Sequence, residues 1–417
     1  MGRILELAEK LWSGKATTEE YPPYMPLLEM ETIAEGVAFV SGFANVTAIA
    51  TGDGVVLIDV GSLPLSGITF SRIRGWNKDR VHTAVFTHGH LDHVMGLGRF
   101  DEEARTKGWP SPRVIAHESM PARFERYKLT GGYNSHVNSQ QFQIPIEWPT
   151  EFRTPNVLYR DSKTVEVGGV TFELHHARGE TDDHTWVWIP SRKLLCTGDL
   201  FLWCCPNAGN PTKVQRYPRD WARALRAMAG VGAEVLAPGH GVPIVGAARI
   251  KQALSETAEL LEHLHDKTVE AMNTGMPLEQ VLRTVRAPEG LMQRPYLKPV
   301  YDDPEFIVRN VWRLYGGWWD GDPSHLKPAP SEDLARELAT LAGGAGRLAE
   351  RATELAAQGD LALACHLAEL AGKAAPGDAE IAKARADVYS KRSQAERSLM
   401  AKSIFAAAAG ELGKRGA

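Results

Sequence analysis

Hydrophobic and polar positions change rhythm along this chain. From residue 36 to 62, "GVAFVSGFANVTAIATGDGVVLIDVGS" consists of short β-branched runs broken by Gly-Asp-Gly, the pattern of paired strands joined by a tight turn. The same rhythm returns in "TVEVGGVTFELHHA", where Gly168 and Gly169 separate two short strands, and in "HTWVWIPSRKLLCTGD". Helical candidates lie between these blocks, among them residues 218–230, and the alternation runs to "EVLAPGHG", ending near Val245. Beyond it, apolar residues recur at helical spacing over 248–273 and in nearly everything from Pro304 onward. In "PSEDLARELATLAGG", Ser331 is expected to cap a helix, Glu332 and Asp333 to favour its first turn, and Gly343 to end it. The stretch "RATELAAQGDLALACHLAELAGKAAPGDAEIAKARADVY" reads as helical hairpins of the tetratricopeptide type, too few for a long solenoid. Residues 286–304, with four prolines, are expected to form an extended arm.

The change near residue 246 divides the chain into an α/β domain, residues 1–246, and an all-α domain, residues 247–417. A length of 417 residues favours two domains over a single core. A net charge of −4 gives no electrostatic reason to expect nucleic acid or an anionic membrane as partner. Cys196, Cys204, Cys205 and Cys365 show no CxxC spacing, so reduced thiols in a cytoplasmic protein are expected. The N-terminal segment mixes charges into a helical pattern and reads as neither a signal peptide nor a membrane span.

The chemistry concentrates in "FTHGHLDHVMG", where His88, His90, Asp92 and His93 crowd together directly after the apolar run "VHTAVF". Imidazole and carboxylate are ligands that zinc accepts. Four such groups can reach two metals only if the chain turns sharply, which Gly89 would permit. His88 and His90 would then serve one ion, and Asp92 and His93 the other. Further ligands must come from elsewhere, and Glu180 in "HHARGETDDH", Asp199 in "LLCTGD" and His240 in "EVLAPGH" each follow a strand-like run. Strand ends of a layered sheet converge on one cleft.

With these residues in place, "THGHLDH" resembles the HxHxDH motif of the metallo-β-lactamase superfamily, over roughly residues 20–246. The resemblance implies an αββα sandwich with a dinuclear metal cleft along one edge. Where the superfamily normally has a histidine in a "PGH" turn, this chain has Glu180 in "RGE", as is typical of the zinc-dependent alkylsulfatases. "NVWRLYGGWWDGDPSHLKP", residues 310–328, is similar to the signature opening the alkylsulfatase dimerisation domain. The resemblance implies two zinc ions, other divalent transition metals being admissible. His88, His90 and Glu180 would hold one, Asp92, His93 and His240 the other, and Asp199 would bridge them, with Asp92 and Asp199 as catalytic residues. Alkylsulfatases usually have glutamate at the bridging place. They also commonly end in a lipid-carrier-like domain, which is not read in this sequence, so preference for a long-chain detergent is not expected.

Two zinc ions about 3.5–4 Å apart would share a water and bring its pKa toward neutrality, giving a bridging hydroxide. By the same resemblance Arg216, with Lys213 second, would grip a sulfate; Arg219 reads as a helix-start ion pair with Asp220. "RYKLTGGYNSHVNSQQF" occupies the place of a substrate loop, so Tyr133 and Asn138 are candidate sulfate donors, although "SQQ" stands where relatives often carry arginines. Asn45 is a further cleft donor or a structural asparagine. His184 and His176 would order the ligand loop from behind, while Trp186, Trp188, Phe201 and Trp203 fill the interior. The expectation is a zinc-dependent hydrolase of small organic sulfate monoesters, homodimeric through its helical domain. A lactone, phosphodiester or carboxylic ester could be cleaved with the same metals, and a non-catalytic helical scaffold with a structural metal is the third reading.

Overall fold

A computed structural model describes residues 2–413 of the chain. By packing they form two units: one of residues 2–131, 149–276 and 280–315, the other of 132–148, 277–279 and 316–413.

The first unit contains two sheets. Strands β1 (Met30–Ala34), β2 (Val37–Val40), β3 (Val46–Thr51), β4 (Gly54–Ile58), β5 (Val81–Val85), β6 (Arg113–His117) and β7 (Val157–Tyr159) lie in sequence order, antiparallel through β4 and parallel from β4 to β7. The second sheet has the order β13 (Ile244–Val245), β12 (Val235–Pro238), β11 (Leu194–Gly198), β10 (Thr185–Ile189), β9 (Val170–His176) and β8 (Ser162–Val167), antiparallel except for the pair β11 and β12.

The strand rhythm explains the layering. Val37 pairs with Ile49 and Ile49 with Val56, while Ile58 pairs with Val85 and Val85 with Ile115. These alternate positions form one apolar face. They share a core with Phe172, Leu174, Trp186 and Val187 of the other sheet. The turns fall where glycine was expected, at 52–54 and at Gly168–Gly169. This is the mixed α/β sheet domain that the sequence implied.

Helix Pro218–Ala229 begins on proline and ends before Gly230, and packs against helix Ala247–Asn273. Its Trp221 is fully buried and donates from Nε1 to the Leu200 carbonyl at 2.7 Å, beside Asp199. Helix 247–273 therefore belongs to the site-bearing unit by packing, so the packing boundary does not fall at 246. Residues 286–304 are not simply extended, because short helical turns form at Glu289–Met292 and Pro295–Leu297 and bury Leu291, Tyr296 and Leu297.

The second unit is all-α. Helices Ser331–Ala342, Ala345–Ala357, Leu361–Ala374, Ala379–Ala395 and Leu399–Gly413 follow one another. Small residues let them approach: Ala352, Leu355, Ala364, Ala368 and Val388 make one cluster, and Ala339, Leu348, Ala349, Ala371 and Ile381 another. Gly343 ends the first helix in the left-handed region, but Pro330 rather than Ser331 takes the cap position, and no side chain caps it. Helix Gly131–Phe142 stands where a substrate loop was expected, and the segment after it reaches the last helix through Gln143 Nε2, which donates to the Ser403 carbonyl at 3.3 Å. Among the described residues, no helix is long and apolar enough to cross a membrane.

Replacing Trp221 by alanine removes a large buried side chain and one buried hydrogen bond, and should cost about 3–5 kcal/mol in a urea unfolding titration; a loss below about 1 kcal/mol would show that the helix is not anchored through this ring.

Candidate metal centre

Parallel neighbours in a sheet end at the same edge, and the loops leaving those ends carry the chemistry. Asp59 follows β4 and His88 follows β5 after two residues, while Asp199 follows β11 and His240 follows β12. His90 precedes the short helix Leu91–Val94, which carries Asp92 and His93 on its first turn. Glu180 lies in the connection from β9 to β10.

Their ligand-type atoms converge into two groups, one of His88, His90, Glu180 and Asp199, the other of Asp92, His93 and His240, each with its atoms within 4.8 Å of one another. Asp199 touches both: its carboxylate oxygens lie 3.3 Å from His93 Nε2, 3.3 Å from His240 Nε2 and 3.7 Å from His88 Nε2. Asp92 lies 3.3 Å from His240 Nε2.

The outer faces of the rings fix their inner faces. Thr87 donates from its backbone N–H and its hydroxyl to Asp59, both at 2.8 Å, so its Oγ1 accepts from His88 Nδ1 at 3.0 Å. His93 Nδ1 donates to Asp59 Oδ2 at 2.7 Å, and His240 Nδ1 to the Phe43 carbonyl. Each Nε2 is thereby turned inward, as metal-ligating histidines require. His184 Nε2 accepts from the Asp199 N–H at 3.1 Å, and its ring stacks on His88 at 4.6 Å. His176 Nδ1 donates to the His184 carbonyl at 3.0 Å.

Charge in this space is strongly coupled. Burial disfavours the charged form of His240, but Asp199 and Asp92 outweigh it and raise its pKa to about 10. His93 is likewise raised against burial by Asp199, Asp59 and Asp92. Burial opposes ionisation of Asp92, yet His93 and His240 hold its pKa at about 2. Glu180 goes the other way: burial pushes it to about 7 in spite of Arg216. Burial also lowers His184 to about 3, so it stays neutral as an acceptor.

The residues fit divalent metal ions. Glu180 Oε2 is buried without a hydrogen-bond partner. Nitrogens of His88 and His90 stand 2.8 Å apart and those of His93 and His240 3.4 Å, aimed at shared points rather than at separate partners. A Cβ on Gly239 would lie 2.1 Å from Asp199 Oδ1, so only glycine leaves the carboxylate this place.

The other expected residues are distributed unevenly. Arg216 is buried, its Nη1 donating to Glu180 Oε1 and, at 2.7 Å, to the Asn207 carbonyl. Burial, then Arg216, bring Lys213 down to about 8 against the pull of Glu180 and Asp92. Arg219 pairs with Asp266 at 3.2 Å rather than with Asp220, which is held by Arg178 and Arg223. Tyr133 and Asn138 lie on helix Gly131–Phe142 and in neither donor group; Tyr133 is exposed, and Asn138 Nδ2 donates to its own helix at the Asn134 carbonyl. The Asn45 amide is structural, donating to the Pro238 and Gly241 carbonyls at 3.1 and 3.0 Å around His240. Trp186, Phe201 and Trp203 are interior, and Trp188 is half-buried. Gly89 does not take a left-handed φ; it is needed for room, as a Cβ there would meet Arg123 Cδ at 2.6 Å. Asp59, Thr87 and Asn207, which donates to Glu180 Oε1, were not anticipated. Asp59 carries the signal that located Asp199, a carboxylate ending an apolar strand in "VLID".

Comparison with known proteins identifies the domains that carry these residues. The profile of the metallo-beta-lactamase superfamily matches residues 41–240, and that of alkyl sulfatase dimerisation matches residues 278–415. The chain therefore carries a metallo-β-lactamase domain. More narrowly, it joins such a domain to an alkylsulfatase dimerisation domain, and its curated relatives include alkylsulfatases. It is 27% identical to a linear primary-alkylsulfatase of a Pseudomonas species over 77% of this chain and 64% of that one. It is 25% identical to an (R)-specific secondary-alkylsulfatase of Pseudomonas over 78% and 53%. The structure of the stereoselective inverting sec-alkylsulfatase Pisa1 from Pseudomonas superposes with a TM-score of 0.83 at 22% identity, covering 92% of this chain and 65% of that one. The chain thus spans less than two thirds of the length of these relatives.

Because carboxylates keep His93 and His240 protonated near neutrality, a divalent metal must expel those protons to bind. Apparent zinc affinity should rise with pH between 6 and 8 by up to about tenfold per unit for each proton displaced. Calorimetric titration in buffers of different ionisation enthalpy checks this, and binding without proton release would show that His93 and His240 are already neutral.

Proposed function

We propose that this chain is a zinc-dependent hydrolase of sulfate monoesters, acting with two zinc ions and as a homodimer through its helical region. The observation that carries the reading is Asp199, a carboxylate of the first donor group whose oxygens also lie 3.3 Å from His93 and His240 of the second. On this reading His88, His90 and Glu180 hold one ion, Asp92, His93 and His240 the other, and Asp199 lies between them. Two such ions would supply an acidified water as nucleophile and neutralise charge on the ester oxygens.

The chain's own residues do the rest. Asp59, acting through Thr87 and directly, holds the imidazoles of His88 and His93 in register. Three carboxylates and the hydroxide formed from the acidified water would together balance two divalent ions, so the negative charge of a bound monoester falls to the cationic side chains around it. Arg216 and Lys213 add cationic donors at the same place; the buried Nε of Arg216 has no hydrogen-bond partner. This balance favours a sulfate monoester over a neutral lactone or carboxylic ester. Support for the dimer comes from the dimerisation profile and from apolar side chains exposed on the helical unit, Trp318 and Leu341 foremost.

Turnover on a panel of alkyl sulfates, phosphodiesters, lactones and carboxylic esters tests the assignment. Alkyl sulfates should be consumed preferentially, and Asp92→Asn should lower their kcat/KM by at least about 100-fold while leaving the protein folded. Consumption of the other esters alone would overturn it.

A further inference from the structure

Three residues beyond Glu180, in "ETDDH", stands Asp183, a fully buried carboxylate that none of the chemistry above uses. Its Oδ2 accepts from the backbone N–H of Gly89 at 3.0 Å, and its Oδ1 from Arg123 Nε at 2.9 Å. Arg123, on helix Met120–Leu129, is itself buried and reaches Asp182 with its other end.

Gly89 is the residue between His88 and His90. Asp183 therefore ties the loop from the second sheet, which carries Glu180, to the loop from the first sheet, which carries two histidines of the same donor group. The joint has no slack, because a Cβ on Gly89 would fall 2.6 Å from Arg123 Cδ and 3.1 Å from Asp183 Oδ2. The second donor group lacks this tie: His93 is held by Asp59, which also reaches His88 through Thr87, and His240 by the Phe43 carbonyl and the loop that Asn45 fastens.

We propose that Asp183, neutralised by Arg123, is a positioning residue that sets the separation of His88 and His90 from Glu180, and so tunes the divalent-metal affinity of that donor group independently of the other. A buried carboxylate persists only if it is paired and hydrogen-bonded, and this one is satisfied by a guanidinium and by the backbone of the ligand loop. Losing the pair leaves an uncompensated charge and frees the two loops to move apart. The inference rests on the proposed metal-binding function of the two donor groups.

The test is zinc binding by the full-length protein, measured by competition with a chromogenic chelator for wild type, Asp183→Asn and Arg123→Gln. Asparagine keeps the shape of the aspartate but carries no charge to neutralise the guanidinium. In each variant one of two zinc equivalents should weaken by about 10–100-fold while the other changes by less than about twofold, with the wild-type circular dichroism spectrum retained. Unchanged affinity of both equivalents in a folded variant overturns the proposal, and so does equal weakening of both. If neither variant folds even with saturating zinc, the pair is a determinant of folding rather than of ligand spacing, and the proposal falls. A wild-type protein that binds no zinc would instead bring down the metal-binding reading itself.

Discussion

Crowding of like charge where strand ends of the two sheets meet is the constraint on which the rest of this structure depends. Asp92, Glu180 and Asp199 are drawn together with four imidazoles in a space that excludes much of the water around them. Carboxylates in such a place must find cations or protons. Here they draw protons onto His93 and His240, and Glu180 is pushed toward its neutral form. Arg216 on Glu180 and Arg123 on Asp183 supply the remaining positive charge. The arrangement is a demand for positive charge built into the fold, and divalent ions answer it with the geometry that the inward-facing nitrogens already have.

Such a cluster would push itself apart if its supports were soft. They are the ends of strands packed into one apolar core, to which β4, β5, β11 and β12 contribute Ile58, Val85, Leu195 and Leu236. The hydrophobic layer supplies the rigidity, and a ring of polar braces at its rim transmits that rigidity to the ligands. Asp59 braces two histidines, His184 the backbone of Asp199, and Asn45 the turn of His240. Each brace is buried, so moving one ligand means breaking a hydrogen bond that water cannot readily replace.

The strands and the convergence of seven ligand-type residues could be read from sequence because both leave local marks. Alternating β-branched runs mark the strands, and a carboxylate or histidine directly after such a run marks an edge. Asp59 bears that mark too, but it lies outside the histidine motif that draws attention to the others. Arg123 and Asp183 left no mark, since their partnership spans sixty positions and one half of it is a backbone N–H. Local pattern misled at Gly89, where glycine is required by a neighbour distant in sequence rather than by its own φ. It also misled at residues 131–142, whose two glycines and run of polar residues suggest a loop, although the segment is a helix.

The division at residue 246 follows a change in periodicity, but periodicity does not report what packs on what. The loop carrying Asn207 and Arg216 is held from beyond that point. Gly209 N–H donates to the buried carboxylate of Asp302 at 2.7 Å, Asn310 Nδ2 donates to the Arg216 carbonyl at 2.9 Å, and Arg313 reaches Gln215 at 3.0 Å. Gly209 lies so close that a Cβ there would be 2.1 Å from the Phe306 carbonyl carbon. Residues 300–313 thus complete the wall behind Glu180, and residues 280–315 of the match to the dimerisation profile, which starts at 278, lie inside the site-bearing unit. A chain ending at 246 would leave Gly209 N–H and the Arg216 carbonyl without these partners. The site and the start of the helical region are for that reason one structural problem.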